Sequence, residues 1–259
     1  EWNAEIVMKA LITGASSGIG WHFANLLARE GYDLVITARD TQRLNHLAGE
    51  FHQKYNRNIE VISADLTTDH GISLIENRIK DGDIDVLINN AGYGLNQGFT
   101  KSDVIDEIAV LKILCEAPMR LAHASLPSML AKNSGIIINV SSVAAWITGG
   151  HYSAMKSYLM VLSESLHTEL AETDLKVCSL APGFTHTEFH QRGKMKMDSL
   201  PNFMWLNADN VVITAWEDAK AGKAISIPGR QYRFLYLLLR FAPRGLVRKG
   251  GFSFRRRQR

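Results

Sequence analysis

An apolar run at residues 7–13, interrupted only by Lys9, passes directly into Thr13-Gly14-Ala15-Ser16-Ser17-Gly18-Ile19-Gly20, and the helical pattern Phe23, Leu26, Leu27 follows at once. No other stretch constrains the fold as much. A short continuous apolar run of this kind fits a strand buried on both faces, as in a parallel sheet. Parallel strands need long crossovers, usually helical, so the alternation has to recur along the chain. Glycines in the turn allow a tight bend, let backbone N–H groups approach a phosphate and let the helix pack close to the strand. The helix N-terminus adds a favourable field for negative charge. The segment therefore predicts a dinucleotide cradle made of Gly14, Ser16, Ser17, Gly18, Ile19 and Gly20.

The alternation does recur. Further strands are predicted at 33–38, 59–64, 84–88, 135–141, 175–181 and 224–227. A long helical stretch covers 103–131, with Pro118 as its one expected interruption. With 46% hydrophobic and 21% charged residues in 259, the chain can build a full core, which excludes a disordered or fibrous protein. The predicted fold is a single Rossmann-like α/β domain, a doubly wound parallel sheet with helices on both faces. It is expected over 8–229, with a lid at about 184–207 and an extension at 230–259. Cys115 and Cys178 lie in apolar segments without disulfide or zinc spacing, so buried thiols in a reducing cytoplasm are expected. Residues 1–5 lack the features of a secretory signal, Met8 reads as a native start, and no apolar run is long enough to span a bilayer.

Other candidates stand at the carboxyl ends of the predicted strands, where this architecture builds its sites. Arg39 follows the second strand; its fork of donors suits the 2′-phosphate of NADP, where an acid would suit the free hydroxyl of NAD. The alternative is a solvated surface arginine. After the third strand, Asp65-Leu66 could meet an adenine, or Asp65 could cap the next helix. Asn89-Asn90-Ala91-Gly92 after the fourth combines small residues with amides that keep a close-lying strand end paired.

Tyr152 and Lys156 lie four apart at the start of a helical run, so both project from one face with Cβ atoms roughly 5–6 Å apart. An ammonium beside a phenol favours the phenolate, which makes Tyr152 a candidate general acid/base. Taken together, TGxxxGxG at Thr13 to Gly20, NNAG at Asn89 to Gly92, Ser142 after the fifth strand, Tyr152-xxx-Lys156 and Pro182-Gly183 closely resemble the short-chain dehydrogenase/reductase family, over about residues 8–189.

That resemblance implies hydride transfer between a nicotinamide, NADP(H) in preference to NAD(H), and a carbonyl or alcohol carbon. It implies a catalytic group of Ser142, Tyr152 and Lys156, with Tyr152 handling the proton, Ser142 bonding the reacting oxygen and Lys156 holding the ribose. Cofactor contacts would come from the glycine segment, Arg39, Asp65, Leu66, Asn90, Ala91, Gly92, Tyr152, Lys156, Pro182, Gly183, Thr185 and Thr187. None of these roles needs a metal. One residue departs from the pattern: Leu114 stands where the family usually has an asparagine that holds a relay water, so the relay would need another route or activity would be reduced.

Phe184, Phe189, Phe203, Met204 and Trp205, interleaved with Gly193, Lys194 and Lys196, together with Ala144, Ala145, Trp146 and Ile147, suggest walls for a lipophilic ketone or secondary alcohol. All 26 acidic residues end at Asp218, where 17 basic ones leave the body at −9; the other 12 basic residues follow it. The apolar, arginine-flanked segment after Gly229 is left with two readings: a helix lying on an anionic membrane surface, or one packed on the body or on a second subunit of a homo-oligomer. No motif points to nucleic acid. The rival to an enzyme is a cofactor-binding, weakly catalytic relative with a regulatory or membrane-surface role.

Overall fold

The computed structural model describes residues 7–187 and 201–248. Strands β1 (Lys9–Thr13), β2 (Asp33–Ala38), β3 (Ile59–Ser63), β4 (Val86–Asn89), β5 (Ile136–Val140), β6 (Lys176–Leu180) and β7 (Ile225–Ser226) alternate with helices. Those are α1 (Gly18–Arg29), α2 (Thr41–Tyr55), α3 (Asp69–Ile79), α4 (Val104–Leu111), α5 (Ala117–Lys132), α6 (His151–Glu169) and α7 (Ala208–Lys220), with α8 (Arg230–Phe241) after the last strand. The strands pair in parallel in the order β3-β2-β1-β4-β5-β6-β7. Strand order reverses between β1 and β4, so a crevice opens there at the carboxyl ends.

Alternate strand residues feed two cores. Ala10, Ile12, Leu34, Ile36, Val86, Ile88 and Ile138 pack with Phe23 and Leu27 of α1, Leu44 of α2 and Trp216 of α7. Leu11, Val35, Leu87 and Ile137 pack on the other face with Ile72 and Ile75 of α3 and Leu121 of α5. Near-continuous apolar runs are therefore required of these central strands, because both their faces are covered. Trp216 is fully buried and its Nε1 donates to Glu30 Oε2 at 2.6 Å, which fixes α7 beside the end of α1. Asp40, Thr68, Asp103 and Asn207 accept from the first backbone N–H groups of their helices, the capping chemistry expected of these residue types. Both cysteines are buried free thiols; burial pushes Cys115 up to about 11 and Cys178 up to about 12.

Two expectations need adjustment. The fourth strand begins at Val86 and includes Asn89, because Asn89 pairs with Asn139 across the ladder and its Nδ2 donates to Asn139 Oδ1. The stretch expected as one helix is α4, a π turn at Lys112–Glu116, and α5. Pro118 lacks the N–H that would bond the carbonyl four residues back, at Leu114, and its ring crowds that carbonyl, so the ladder widens just before it.

At the amino end of the sheet Arg78 bonds both Glu60 and Asp83, and Lys9 Nζ lies 2.5 Å from Asp83 Oδ2. The Arg78 hydrogen bonds hold the Asp83 carboxyl down at about 2. A depressed carboxylate contributes stability that is complete above its ordinary value near 4 and is lost as pH falls through about 2. Asp83 is 40% exposed, so the contribution is screened. Asp83→Asn should lower the neutral-pH Tm by about 1–3 °C and remove part of the loss between roughly pH 4 and 2. Thermal melts across that range check this; an unchanged profile would mean the cluster contributes nothing.

Candidate active site

The glycine segment is folded as a cradle. Gly14 and Gly18 have φ of +66° and +57°, which side chains rarely adopt, and a Cβ on Gly20 would stand 2.3 Å from the Gly14 carbonyl oxygen. Ser16 is buried, Ser17 is the N-cap of α1 without a side-chain capping bond, and Ile19 packs against the first core. Opposite the loop, Thr187 Cβ stands 3.3 Å from where a Gly18 Cβ would be. Small residues, positive φ and the opening turn of a helix leave backbone N–H groups facing the crevice, which fits a pyrophosphate.

The cradle is tied to the next strand. Thr13 Oγ1 accepts from the N–H groups of Asn90 and Ala91, at 2.9 and 3.0 Å, while Asn90 Nδ2 donates to the Thr13 and Gly14 carbonyls. Gly92 has no room for a side chain, since a Cβ there would lie 2.4 Å from Leu114 Cδ2.

Arg39 is exposed directly after β2. Burial raises the pKa of nearby Tyr93; the Arg39 charge opposes that rise, and the Asp65 and Asp106 charges add to it. Asp65 does not cap α3. Its Oδ1 accepts from the Thr67 N–H and hydroxyl, and Thr68 is the cap because its shorter side chain sits at the residue preceding the first turn. The Leu66 side chain belongs to the second core.

The two serines after β5 have separate partners. Ser141 is buried, its hydroxyl donating to the Lys156 carbonyl at 2.8 Å. Ser142 starts a 3-10 turn, Val143–Trp146; its hydroxyl accepts from the Ala144 N–H and hydrogen-bonds the Tyr152 phenol. Lys156 is 5% exposed, donates to the Val140 carbonyl at 2.7 Å and has its Nζ 5.7 Å from the centre of the Tyr152 ring.

Burial lowers the Lys156 pKa to about 8, with a smaller opposing effect of Cys115. The Tyr152 pKa is raised, contrary to the expectation that the lysine would depress it. Burial of the phenol outweighs the Ser142 hydrogen bond, and the lysine's hydrogen bond goes to Val140. Leu114 is fully buried on the π turn and, with Ile113, Ala91, Val140 and Leu159, lines a small cavity behind the strand ends. Its side chain offers no donor or acceptor.

The loop after β6 is fastened from two sides. The Pro182 carbonyl accepts from Val143 N–H, and a Cβ on Gly183 would lie 2.0 Å from the Tyr232 ring, so this glycine makes room for α8. Thr185 is buried, with its hydroxyl donating to the Gly183 carbonyl and its backbone bridged to Leu206; its side chain faces the loop interior. Of the lid, Phe184 and His186 pack on Trp205, and His186 N and Leu206 N complete the bridge. Phe203 is 69% exposed and forms no wall, because the carbonyls of its short turn bind α8 and turn the ring outward. Phe189, Gly193, Lys194 and Lys196 lie outside the described residues, as do the basic residues from Lys249 onward.

The sequence reading missed a pair beside the tyrosine. His151, first residue of α6, places Nδ1 2.5 Å from Glu107 Oε2, and Ser102 donates to the other carboxylate oxygen. Glu107 is 8% exposed. The available signal was an acid on the apolar face of α4, at helical spacing from Val110 and Leu114. The pair clamps the start of the Tyr152 helix to the chain that follows Gly92. Glu107→Ala leaves His151 without its acceptor and should cost roughly 1–3 kcal/mol in urea unfolding; an unchanged midpoint would remove the clamp.

Residues 8–197 match the family described as short chain dehydrogenase. An uncharacterized oxidoreductase of Staphylococcus epidermidis is 33% identical over 202 residues, 74% of this chain and 86% of that protein. A short-chain dehydrogenase from Sphingobium yanoikuyae, solved in complex with NADPH, superposes with TM-score 0.85 at 32% identity over 93% of this chain and 94% of that one. The bulky-bulky ketone specific alcohol dehydrogenase from Comamonas testosteroni superposes with TM-score 0.81 at 30% identity, covering 93% of each chain.

Proposed function

The chain belongs to the short-chain dehydrogenase family and is an NAD(P)-dependent oxidoreductase acting on CH–OH groups, and we propose that it interconverts a bulky lipophilic ketone and its secondary alcohol with NADP(H). The observation that carries the reading is the Ser142–Tyr152 hydrogen bond with Lys156 buried one helical turn further on. The cofactor would be held by the Gly14–Gly20 cradle, by Arg39 at the ribose, by Lys156 and Tyr152 at the nicotinamide end, and by Thr187 across from Gly18. When bound it supplies the hydride.

The rest belongs to the side chains. In reduction Tyr152 gives its phenolic proton to the substrate oxygen as negative charge develops there, and Ser142 donates a hydrogen bond to the same oxygen. A phenol raised by burial stays protonated at neutral pH, which suits it to that donation. Lys156, with a pKa of about 8, carries its positive charge through the neutral range and stabilises the phenolate left behind. Leu114 removes a side-chain amide from the usual proton route. The walls supporting a lipophilic substrate are Trp146, Ile147, Phe184 and Trp205, and the Comamonas relative's preference for bulky ketones supports the same class.

Tyr152→Phe should abolish turnover while cofactor affinity falls by no more than about fivefold, because the proton donor is lost and only one of many cofactor contacts goes with it; NADPH oxidation at 340 nm and fluorescence titration check both, and retained turnover would sink the role. Arg39→Asp should weaken NADPH relative to NADH by roughly tenfold or more, since it sets a like charge against a phosphate. An unchanged ratio of the two dissociation constants would free Arg39 of that task.

A further inference from the structure

Helix α8 has two faces with different fates. On the inner one Tyr232 is 1% exposed, its hydroxyl donating to the Met204 carbonyl and accepting from Phe184 N–H. Tyr236 packs on Trp146 with ring centres 4.8 Å apart. The helix is thus fixed at the mouth of the crevice, against the turn that follows Ser142. The outer face carries Phe234, Leu237, Leu238 and Phe241, exposed by 64, 54, 53 and 81%. Phe203 beside it, whose carbonyl accepts from Gln231 Nε2, and Leu246 further along the chain are exposed as well. Arg230, Arg233, Arg240, Arg244 and Arg248 are all exposed along this segment.

We propose that this face of α8 docks the protein on an anionic lipid bilayer, lying in the interface with its apolar residues among the lipids and its arginines at the headgroups. Charge argues for that occupant. No acid follows Asp218, while the body before it is net negative, so an anionic surface attracts this end of the molecule and repels the remainder, which orients the approach. Two copies of the face packed on each other would set arginines against arginines with no acid of the segment between them. No helix among the described residues is long and apolar enough to cross a membrane, so the contact is with one leaflet. Docked this way, the mouth beside Trp146 and Phe184 opens at the lipid surface. The inference does not depend on the substrate class proposed above.

The test is co-sedimentation of the full chain with phosphatidylcholine vesicles, with and without phosphatidylserine. Expected is binding that needs phosphatidylserine, falls with salt, and weakens by roughly tenfold or more in a Phe234→Ser, Leu237→Ser, Phe241→Ser variant. That variant changes exposed residues only, and an unchanged melt and unchanged NADPH affinity would show it folded. A second variant, Arg240→Glu with Arg244→Glu, should lose the preference for the anionic lipid. Three outcomes overturn the proposal: no vesicle binding by the unaltered chain, equal binding by the serine variant, or a light-scattering mass that drops in the serine variant while vesicles are ignored, which would give the face to a second copy. Binding of duplex DNA in place of vesicles would overturn it as well.

Discussion

One hydroxyl holds the two halves of the crevice together. Thr13 ends β1, and its Oγ1 takes the backbone N–H groups of Asn90 and Ala91, where β4 has just ended. Between these neighbouring strands the connections run to opposite sides of the sheet, so their ends diverge and leave backbone groups without ladder partners. The threonine and the Asn90 amide satisfy those groups from within. The glycine segment and the NNAG segment therefore share one rigid floor, and the close approach of Gly14 and Gly20 to Asn90 follows from it. A looser junction would let the cradle and the neighbouring strand ends move independently.

The side chains proposed to be catalytic depend on a second set of buried bonds. An ammonium inside a protein is costly unless it is hydrogen-bonded. Lys156 meets that condition through the Val140 carbonyl, while Ser141 holds the Lys156 carbonyl. Both bonds join α6 to the end of β5. Ser142 is then the serine left to face Tyr152, and the ordering of the two serines is a consequence of which one the helix needs for support. Glu107 and His151 secure the same helix from its other side. Tyr152 thus sits at a helix start held by strand, turn and α4 together.

Much of this was legible in the sequence because its cause is local or periodic. Apolar runs buried on two faces, glycines at a strand-to-helix turn, and a tyrosine and lysine one helical turn apart all declare themselves in a short window. The features that stayed hidden depend on the exact backbone path or on partners distant along the chain. Asp65 and Thr68 are both capable caps, and the backbone path chose Thr68. Pro118 marked an interruption, but the sequence does not say whether the missing N–H ends the helix or, as here, widens the ladder into a π turn just upstream. Phe203 looked like pocket wall because aromatic residues usually are buried; the carbonyls around it bind α8 and turn it outward. Glu107 meets its partner 44 residues later.

Gly183 shows how far such distant coupling reaches. A glycine after a proline at the end of β6 suggests a backbone bending around a ligand, yet the atoms nearest its missing side chain belong to Tyr232. Helix α8 is therefore a structural wedge under the loop that carries Thr185 and Thr187. A change that tilts the helix also tilts the loop. Whatever α8 rests against, its posture is transmitted to the reaction crevice through one phenol ring.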